Sequence, residues 1–174
     1  MTLKIALDVQ YADGSARIAA VLFTNWKNHT ASRFWTHVFE GPVAEYVPGQ
    51  FRERELPCLM QLLAKQTDLL RSSVDTVVID GYVDLGEGHP GLGRYLHDAL
   101  RDVGVDVTVV GVAKNPFNGA NAVKILRGES KSPLYITSTG DVHSAADAVR
   151  HMDGPYRIPT LLKLADSLAR GTRQ

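Results

Sequence analysis

The chain has 174 residues, of which 44% are hydrophobic and 22% are charged. This is the composition of an ordinary globular protein, and the length predicts one domain over residues 1–174. Nineteen Lys and Arg balance nineteen Asp and Glu, which excludes a protein that binds nucleic acid through bulk positive charge. The first half is slightly acidic and the second half slightly basic, so a local basic groove is compatible with the zero total.

Cysteine content and hydropathy restrict the compartment. Cys58 is the single cysteine, so an intrachain disulfide and a Cys-based zinc site are both excluded, and the reducing cytoplasm is expected. The first apolar residues are interrupted by Asp8, which argues against a signal peptide. The longest apolar runs, such as residues 18–23, are far too short to span a membrane, and we expect no membrane association.

The amino-terminal part has the pattern of three short strands. Residues 4–11 alternate apolar and polar side chains, and the turn at 12–14 joins them to an apolar stretch at 16–24. A third strand is predicted over 31–39. Because the connections are short, the three strands are expected to form an antiparallel meander.

After the meander the pattern changes to alternating helices and strands. Pro57 suits the first turn of a helix, and leucines recur at helical spacing around it. Near-continuous apolar runs at 74–82 and 105–113 are typical of strands buried on both faces. This order predicts an α/β protein with a ribonuclease H-like mixed sheet, in which the antiparallel meander is followed by parallel strands and helices flank the sheet. The remaining predicted elements are a short strand at 132–139 and helices at 91–103, 144–152 and 159–170.

Four acidic residues fall at places where a carboxylate is unusual. Asp8 interrupts the apolar pattern of the first strand, and Asp80 ends a buried parallel strand, where ligands bind in open α/β sheets. Glu55 precedes the leucine-rich helix, and Asp141 opens the helix that follows the last strand. Each has an ordinary alternative: a strand residue facing solvent for Asp8, a hydrogen-bonded turn for Asp80, a charge near a helix dipole for Glu55 and an N-cap for Asp141.

Together the four acids have a further interpretation. The predicted fold brings them to one side of the sheet, where they repel one another and raise their own pKa values unless cations neutralise them. Carboxylates are hard oxygen ligands, so Mg²⁺, with Mn²⁺ as a substitute, is the predicted cofactor. Two such ions could activate water and stabilise the leaving oxygen in phosphodiester cleavage, but the sequence leaves open whether one or two ions act.

Four segments together resemble the endonuclease V family. YVPGQFRERELP at 46–57 is similar to its Tyr-x-Pro-Gly turn and helix start, and IDGYVDLGEGHPGLGRYLH at 79–97 to its Asp-Gly and His-Pro segment. GVAKNPF at 111–117 resembles its Gly-Val-Ala-Lys strand end, and RIPTLLKLAD at 157–166 its closing Arg-x-Pro and Ala-Asp helix. The motifs occur in family order over nearly the whole chain.

The resemblance implies a metal-dependent endonuclease that acts in DNA repair. Such an enzyme nicks DNA at deoxyinosine, or RNA at inosine, at the second phosphodiester on the 3′ side of the deaminated purine. Asp8, Glu55 and Asp80 match the catalytic carboxylates that would bind the metal, with Glu53 as the alternative to Glu55. DNA or RNA containing inosine is then the expected partner, and the oligomeric state stays open.

Other positions match further parts of the family pattern. Lys114 matches an active-site lysine that could hold phosphate or stabilise a developing oxyanion, and His89 matches the His-Pro histidine, a candidate proton shuttle. The family pattern has a histidine where this chain has Asp141, which we expect to serve as a catalytic metal ligand in its place. His143, two residues on, is the alternative to Asp141.

The Tyr-x-Pro-Gly turn matches the family wedge. Tyr46, Val47 and Pro48 would insert at the lesion and fill the space left by the extruded base, while Gly49 and Gly81 would let the backbone approach that base. The ordinary alternative is a simple Pro-Gly turn.

Two departures from the family pattern bear on function. Residues 83–88 lengthen the segment before the His-Pro pair and add the negative charges of Asp84 and Glu87, and Gln10 replaces a small residue. Asp141 and this acidic insertion motivate a rival hypothesis, a nucleic-acid-binding relative that retains the fold but cleaves weakly or differently. A metallohydrolase acting on other branched or damaged strands is a third, weaker possibility. If metal ions neutralise the acids, a basic face is expected from Lys114, Lys124, Arg127, Lys131, Arg150, Arg157 and Lys163.

Overall fold

A computed structural model of the chain describes residues 2–48 and 51–172. Its first part is the predicted meander: β1 (Leu3–Ala12), β2 (Ser15–Phe23) and β3 (Arg33–Val38) pair antiparallel in chain order. The hairpin between the first two strands turns at Asp13 and Gly14, which have φ of 53° and 74°. Two successive positive φ angles match the right-handed twist of the flanking strands, so the sequence Asp-Gly determines this turn.

The rest of the chain alternates helices with short strands. The first strand after the meander, β4 (Val74–Asp80), forms as predicted from its continuous apolar run. The single leucine-rich helix that was predicted is divided into α1 (Phe51–Ala64) and α2 (Thr67–Ser73). The strand β6 (Val123–Ile125) was not predicted, because its three residues are too few to show a periodicity. These elements are α1 (Phe51–Ala64), α2 (Thr67–Ser73), β4 (Val74–Asp80), α3 (Leu92–Asp102), β5 (Thr108–Ala113), β6 (Val123–Ile125), β7 (Leu134–Ser138), α4 (Val142–Arg150) and α5 (Thr160–Arg170).

All seven strands form one mixed sheet in the order β3-β2-β1-β4-β5-β7-β6. The predicted mixed α/β sheet is confirmed, and β1, β4 and β5 are parallel. The last part differs in direction, because β7 runs antiparallel to β5. A parallel connection needs a crossover, usually helical, and residues 114–133, all of which the structure describes, contain no helix. The chain therefore returns along β5 instead of crossing the sheet.

Helices cover both faces of the sheet. On one face, Ile5, Leu7 and Val77 pack against leucines of α1, α2 and α3. On the other, Ala6 and Val78 pack with residues of α4 and α5. The alternation along β1 and β4 assigns neighbouring residues to opposite faces, so even-numbered positions of these two strands face α5. No helix among the described residues is long and apolar enough to cross a membrane.

The first helix begins earlier than the sequence predicts. The helix α1 starts at Phe51, so Pro57 lies inside it rather than in its first turn, and that prediction is wrong. Proline removes one backbone donor but supplies a helical φ, and the leucines beyond it are buried against the sheet. The earlier start places Glu55 within the helix, at the end that approaches β1 and β4.

A buried arginine fastens the segment that leads into α5. The Arg127 side chain follows β6, is 4% exposed, and donates to carbonyls between residues 150 and 157, among them those of Met152 at 2.5 Å and Tyr156 at 2.6 Å. Burial is the main reason why the pKa of this guanidinium falls below its usual range. Its role here is structural, so the expectation that it belongs to a basic surface is wrong.

Candidate active site

Asp8 is a buried carboxylate in the interior of the sheet. It lies on β1, between β2 and β4, and is 9% exposed. Burial raises the pKa of Asp8 to about 6, the negative charge of Asp80 adds to the shift, and a hydrogen bond from Gln10 opposes it. A strand residue facing solvent would have none of these features, so the solvent-facing alternative for Asp8 is wrong.

Asp80 ends β4 at the level of Asp8. The parallel register pairs Ala6 with Val78, and each aspartate lies two residues further along its strand, on the face toward α5. The Asp80 side chain is partly exposed, and its Oδ2 lies 3.3 Å from Nζ of Lys114. Lys114 directly follows β5, so adjacent parallel strands deliver the acid and the base to one place.

Glu55 approaches the two aspartates from α1. Burial raises its pKa to about 7, and the charges of Asp80 and Asp8 raise it further against the opposing effect of Arg54. A cavity of about 50 Å³ is lined by all three acids. The structure thus brings together Asp8, Glu55 and Asp80, whereas Glu53 does not line this cavity.

The donor set of this group fits a hard divalent cation. Three carboxylates share a small cavity, and two of them have pKa values raised by burial and mutual repulsion, which a bound cation would reverse. Among the described residues, however, no three His, Cys, Asp or Glu side chains already stand close enough to form a closed ligand set. Asp80 is turned toward Lys114 instead.

Asp141 does not join this group, and its predicted place there is wrong. Because β7 is antiparallel to β5, its end lies beside the start of β5: Ser138 pairs with Val110, whereas Asp80 pairs with Val112. Asp141 caps α4 and accepts hydrogen bonds from the Ser144 hydroxyl at 2.6 Å and the His143 backbone at 3.2 Å. These bonds lower the pKa of Asp141. The N-cap alternative describes it correctly.

The carboxylate that completes the group is Asp166, which the sequence analysis assigned no role. It lies on α5, is 8% exposed, and lines a cavity of about 70 Å³ together with Asp8, Asp80 and Lys114. Burial alone would raise its pKa, but Arg170 and Lys163 hold the pKa below the usual range. The signal that could have found it is the Ala-Asp end of the 157–166 motif.

The inserted segment 83–88 folds into a closed turn. Asp84 pairs with Arg94 through two hydrogen bonds of 3.2 and 2.9 Å, so its negative charge is matched. His89 is exposed, and its Nδ1 lies 2.9 Å from the carbonyl oxygen of Glu87. The structure therefore does not bring His89 into contact with the carboxylate group.

Beside the acids lies a larger cavity with aromatic and polar walls. Its volume is about 330 Å³, within the range of small-ligand sites. Two of the acids, Glu55 and Asp80, form part of its lining together with Lys114. Tyr82 and Phe117 stand on the other side with ring centroids 6.0 Å apart. The cavity lining also includes Gly81, Leu85, Leu92, Ala113, Asn115 and Pro116.

Gly81 gives this cavity its open backbone wall. Its φ is +140°, and an added Cβ would meet no atom within 4 Å. The conformation rather than the space requires glycine, because other residues rarely adopt such a φ. The backbone is thus accessible to a ligand at the position where the sequence predicts a base contact.

The predicted wedge is an exposed segment without regular structure. Tyr46 is 57% exposed and Val47 is 45% exposed. Pro48 is exposed as well, and Gly49 lies outside the described residues. The Arg54 guanidinium lies 3.6 Å from the ring centroid of Tyr11 and 5.7 Å from that of Tyr46, which connects the wedge to β1 through stacked groups.

Comparison with known proteins gives consistent results. A family model described as Endonuclease V matches residues 2–140. A protein of Xanthomonas oryzae pv. oryzae named Endonuclease V is 38% identical over 193 residues, covering 96% of this chain and 76% of the relative. An Endonuclease V of Xanthomonas axonopodis pv. citri is 32% identical, with the same coverage of both chains.

Solved structures show the same fold. Endonuclease V of Ciona intestinalis, in complex with a DNA 24mer containing an inosine followed by a ribo-adenosine, has a TM-score of 0.73 at 17% identity, and the match covers 98% of this chain and 84% of that one. Endonuclease V of Streptomyces avermitilis has a TM-score of 0.70 at 24% identity, covering 97% and 80%.

Proposed function

Because the chain belongs to the endonuclease V family, we propose that it nicks nucleic acid strands at deaminated purines, at the second phosphodiester on the 3′ side. It is an endonuclease, and hence a hydrolase. The observation that carries the substrate proposal is the 330 Å³ cavity, which shares Glu55 and Asp80 with the carboxylate group. A base held there lies directly beside the groups that act on the strand.

Members of this family depend on metal ions, and we propose Mg²⁺, with Mn²⁺ as a substitute, for this chain. Asp8, Glu55 and Asp80 would hold the ion, because their oxygens share a cavity and their charges repel one another without it. When bound, such an ion polarises the phosphate and supplies a water activated for attack. Asp141, at the far end of β5, has no part in this proposal.

The chain's own side chains supply the rest of the chemistry. Nζ of Lys114 lies 3.3 Å from Oδ2 of Asp80, and Lys114 lines both the 70 Å³ cavity and the 330 Å³ cavity. From there its ammonium can hold a phosphate oxygen and stabilise the negative charge that develops during cleavage. Its bond to Asp80 keeps the ammonium oriented until the substrate arrives.

The larger cavity would receive the extruded base. Tyr82 and Phe117 offer aromatic surface for stacking, and the open backbone at Gly81 allows a close approach to the base edge. The exposed Tyr46, Val47 and Pro48 would fill the place that the base leaves in the strand. Deoxyinosine in DNA is the proposed substrate, with inosine in RNA as the alternative that the nicking assay compares.

The domain organisation and the cellular location complete the proposal. Residues 1–174 are proposed to act as one catalytic domain, since the site residues come from a single sheet and from helices packed on it. A cytoplasmic location is proposed from the single, buried Cys58, which a reducing compartment suits. The rival hypothesis of a relative with weak or altered cleavage loses support, because Asp141 lies elsewhere and Asp84 is paired with Arg94.

A nicking assay tests the proposed function. The protein is incubated with Mg²⁺ or Mn²⁺ and with single- and double-stranded DNA and RNA, each with and without inosine. We expect a nick at the second phosphodiester 3′ of inosine and none in the matched control strands. Asp80→Asn should abolish nicking and preserve binding of the same strand. Binding without nicking by the wild-type protein under every condition would favour the rival hypothesis.

A further inference from the structure

Gln10 joins two carboxylates of the site. Its Nε2 donates to Oδ2 of Asp8 at 3.2 Å and to Oδ1 of Asp166 at 3.1 Å. The two residues it bonds come from different elements, β1 and α5. The amide therefore occupies one oxygen of each carboxylate, in the place where a cation between Asp8 and Asp166 would bind.

Asp166 is also matched by positive charge. Nε of Arg170 lies 3.0 Å from each of its carboxylate oxygens, and Nζ of Lys163 lies 3.5 Å from Oδ2. With the Gln10 amide, both oxygens of this carboxylate have donors. A metal ion would have to displace a guanidinium and an amide to bind Asp166.

The other side of the group is different. Glu55 lines the 50 Å³ cavity together with Asp8 and Asp80, and the nearby cations there are Lys114, which pairs with the partly exposed Asp80, and Arg54, next to Glu55. The negative charge of the site is thus compensated on the Asp166 side and in excess on the Glu55 side. A cation is needed on only one of the two sides.

From this asymmetry we propose that Gln10 is a positioning residue which, with Arg170, occupies the side of the site where a second divalent ion would bind. The chain then takes up a single divalent ion, on the Glu55 side of Asp8. This inference rests on the metal-dependent function proposed above. It also gives Gln10, a departure from the family's small residue, a role: its amide substitutes for part of a cation's ligand shell.

Counting bound ions tests this proposal. The full chain, freed of metal with a chelator, is titrated with Mn²⁺ alone, and free Mn²⁺ is measured by electron paramagnetic resonance. We expect one ion per wild-type chain and two per Gln10→Ala chain, the second bound weakly, because the substitution frees Oδ2 of Asp8 and Oδ1 of Asp166 from the amide while Arg170 stays bonded to Asp166. Gln10→Glu keeps the side-chain shape and replaces the donor by an acceptor, so it should also bind two, the second about tenfold more tightly than in Gln10→Ala.

Each outcome has a meaning. Two ions in the wild-type protein, or one ion in both the wild-type and Gln10→Ala proteins, would overturn the proposal. If Gln10→Ala fails to fold by circular dichroism, the ion count of Gln10→Glu decides in its place, and a single ion there is the contrary result. Gln66→Ala, outside the acidic group, is the matched control and should keep one ion.

Failure of this proposal can be told apart from failure of the proposed function. The ion count uses no nucleic acid, so an enzyme that nicks at inosine and binds two ions refutes only the role of Gln10. A protein that binds one ion and does not nick at inosine refutes only the proposed substrate. No bound ion at all would refute the metal-dependent part of both.

Discussion

Asp8 and Asp141 are both aspartates on or next to a strand of the same sheet, but they are built into their surroundings in opposite ways. Asp141 is exposed and receives hydrogen bonds from Ser144 and His143 that lower its pKa. Asp8 is buried among other acids, and its pKa is raised to about 6. A carboxylate whose charge is satisfied locally supports structure, whereas one whose charge is opposed by its surroundings is prepared for a cation.

The strongest way to break this comparison is to neutralise each aspartate in turn. Asp8→Asn should reduce the rate of nicking at inosine by about 10³-fold, because it removes a proposed metal ligand. Asp141→Asn, which retains the helix cap, should change that rate less than about threefold. Single-turnover cleavage with saturating Mg²⁺ measures both. Equal losses in the two variants would mean that Asp141 acts in the site after all.

The pH dependence of metal binding sharpens the comparison. An ion must displace protons from Glu55, with a pKa of about 7, and Asp8, with a pKa of about 6. We expect the affinity for Mn²⁺ to fall about 20-fold from pH 8 to pH 6, since both carboxyls become protonated over this range. Titrations at several pH values measure this directly. An affinity that is constant down to pH 5 would place the ion elsewhere.

Two lysines, one inside and one outside the candidate site, can be compared in the same way. Lys114 contacts Asp80, while Lys131 lies exposed in the loop before β7. Lys114→Met should lower kcat about tenfold or more through loss of its charge at the phosphate. Lys131→Met removes the same charge from the molecule and should leave kcat unchanged. A similar drop in both variants would reduce Lys114 to a general electrostatic role.

The smallest expected effect is on stability, and its sign differs between the two aspartates. Asp8 has a pKa of about 6 when folded and 3.8 as a free side chain. Because the pKa of Asp8 is higher in the folded protein, the protonated side chain stabilises the folded state below pH 3.8, and this stability is lost as the pH rises through 6. Above pH 6 the metal-free folded protein carries the cost of a buried, charged carboxylate. Asp8→Asn should therefore raise the free energy of unfolding by about 1–3 kcal/mol at pH 8 and leave it unchanged at pH 3.

The control for this measurement is Asp141→Ala. The pKa of Asp141 is lowered, so its contribution is present above the free value and is lost as the pH falls. The substitution should destabilise the protein at pH 8, opposite to Asp8→Asn. Urea unfolding in the presence of a chelator measures both. If Asp8→Asn is instead less stable than the wild-type protein at pH 8, the cost of burying this charged carboxylate is already compensated in the metal-free protein.

The sequence predicted the part of the site that depends on parallel strands. The apolar runs around Asp8 and Asp80 identified buried strands, and parallel neighbours bring such positions to the same level. Asp141 was misplaced because the direction of β7 follows from the connection before it, and the short strand β6 in that connection has no periodicity to reveal the return. The direction of β7 is therefore set by tertiary structure and not by a local sequence pattern.

Asp166 was missed for a different reason. Its spacing from Arg170 is that of an ordinary ion pair on a helix surface, and the sequence alone gives such pairs no further meaning. Only the packing of α5 across β1 turns this surface toward Gln10 and Asp8. The start of α1 was similarly hidden, because Pro57 is a frequent first-turn residue and in this chain lies further inside.

The buried guanidinium of Arg127 has a consequence for how the enzyme responds to heat. It fastens residues 150–157, and this segment runs directly into the helix that carries Asp166 and Arg170. Alignment of Asp166 at the proposed site therefore depends on a side chain that follows the edge strand β6. Warming that releases this anchor should inactivate the nuclease several degrees before the sheet unfolds, which activity and calorimetric melting curves on one sample would reveal.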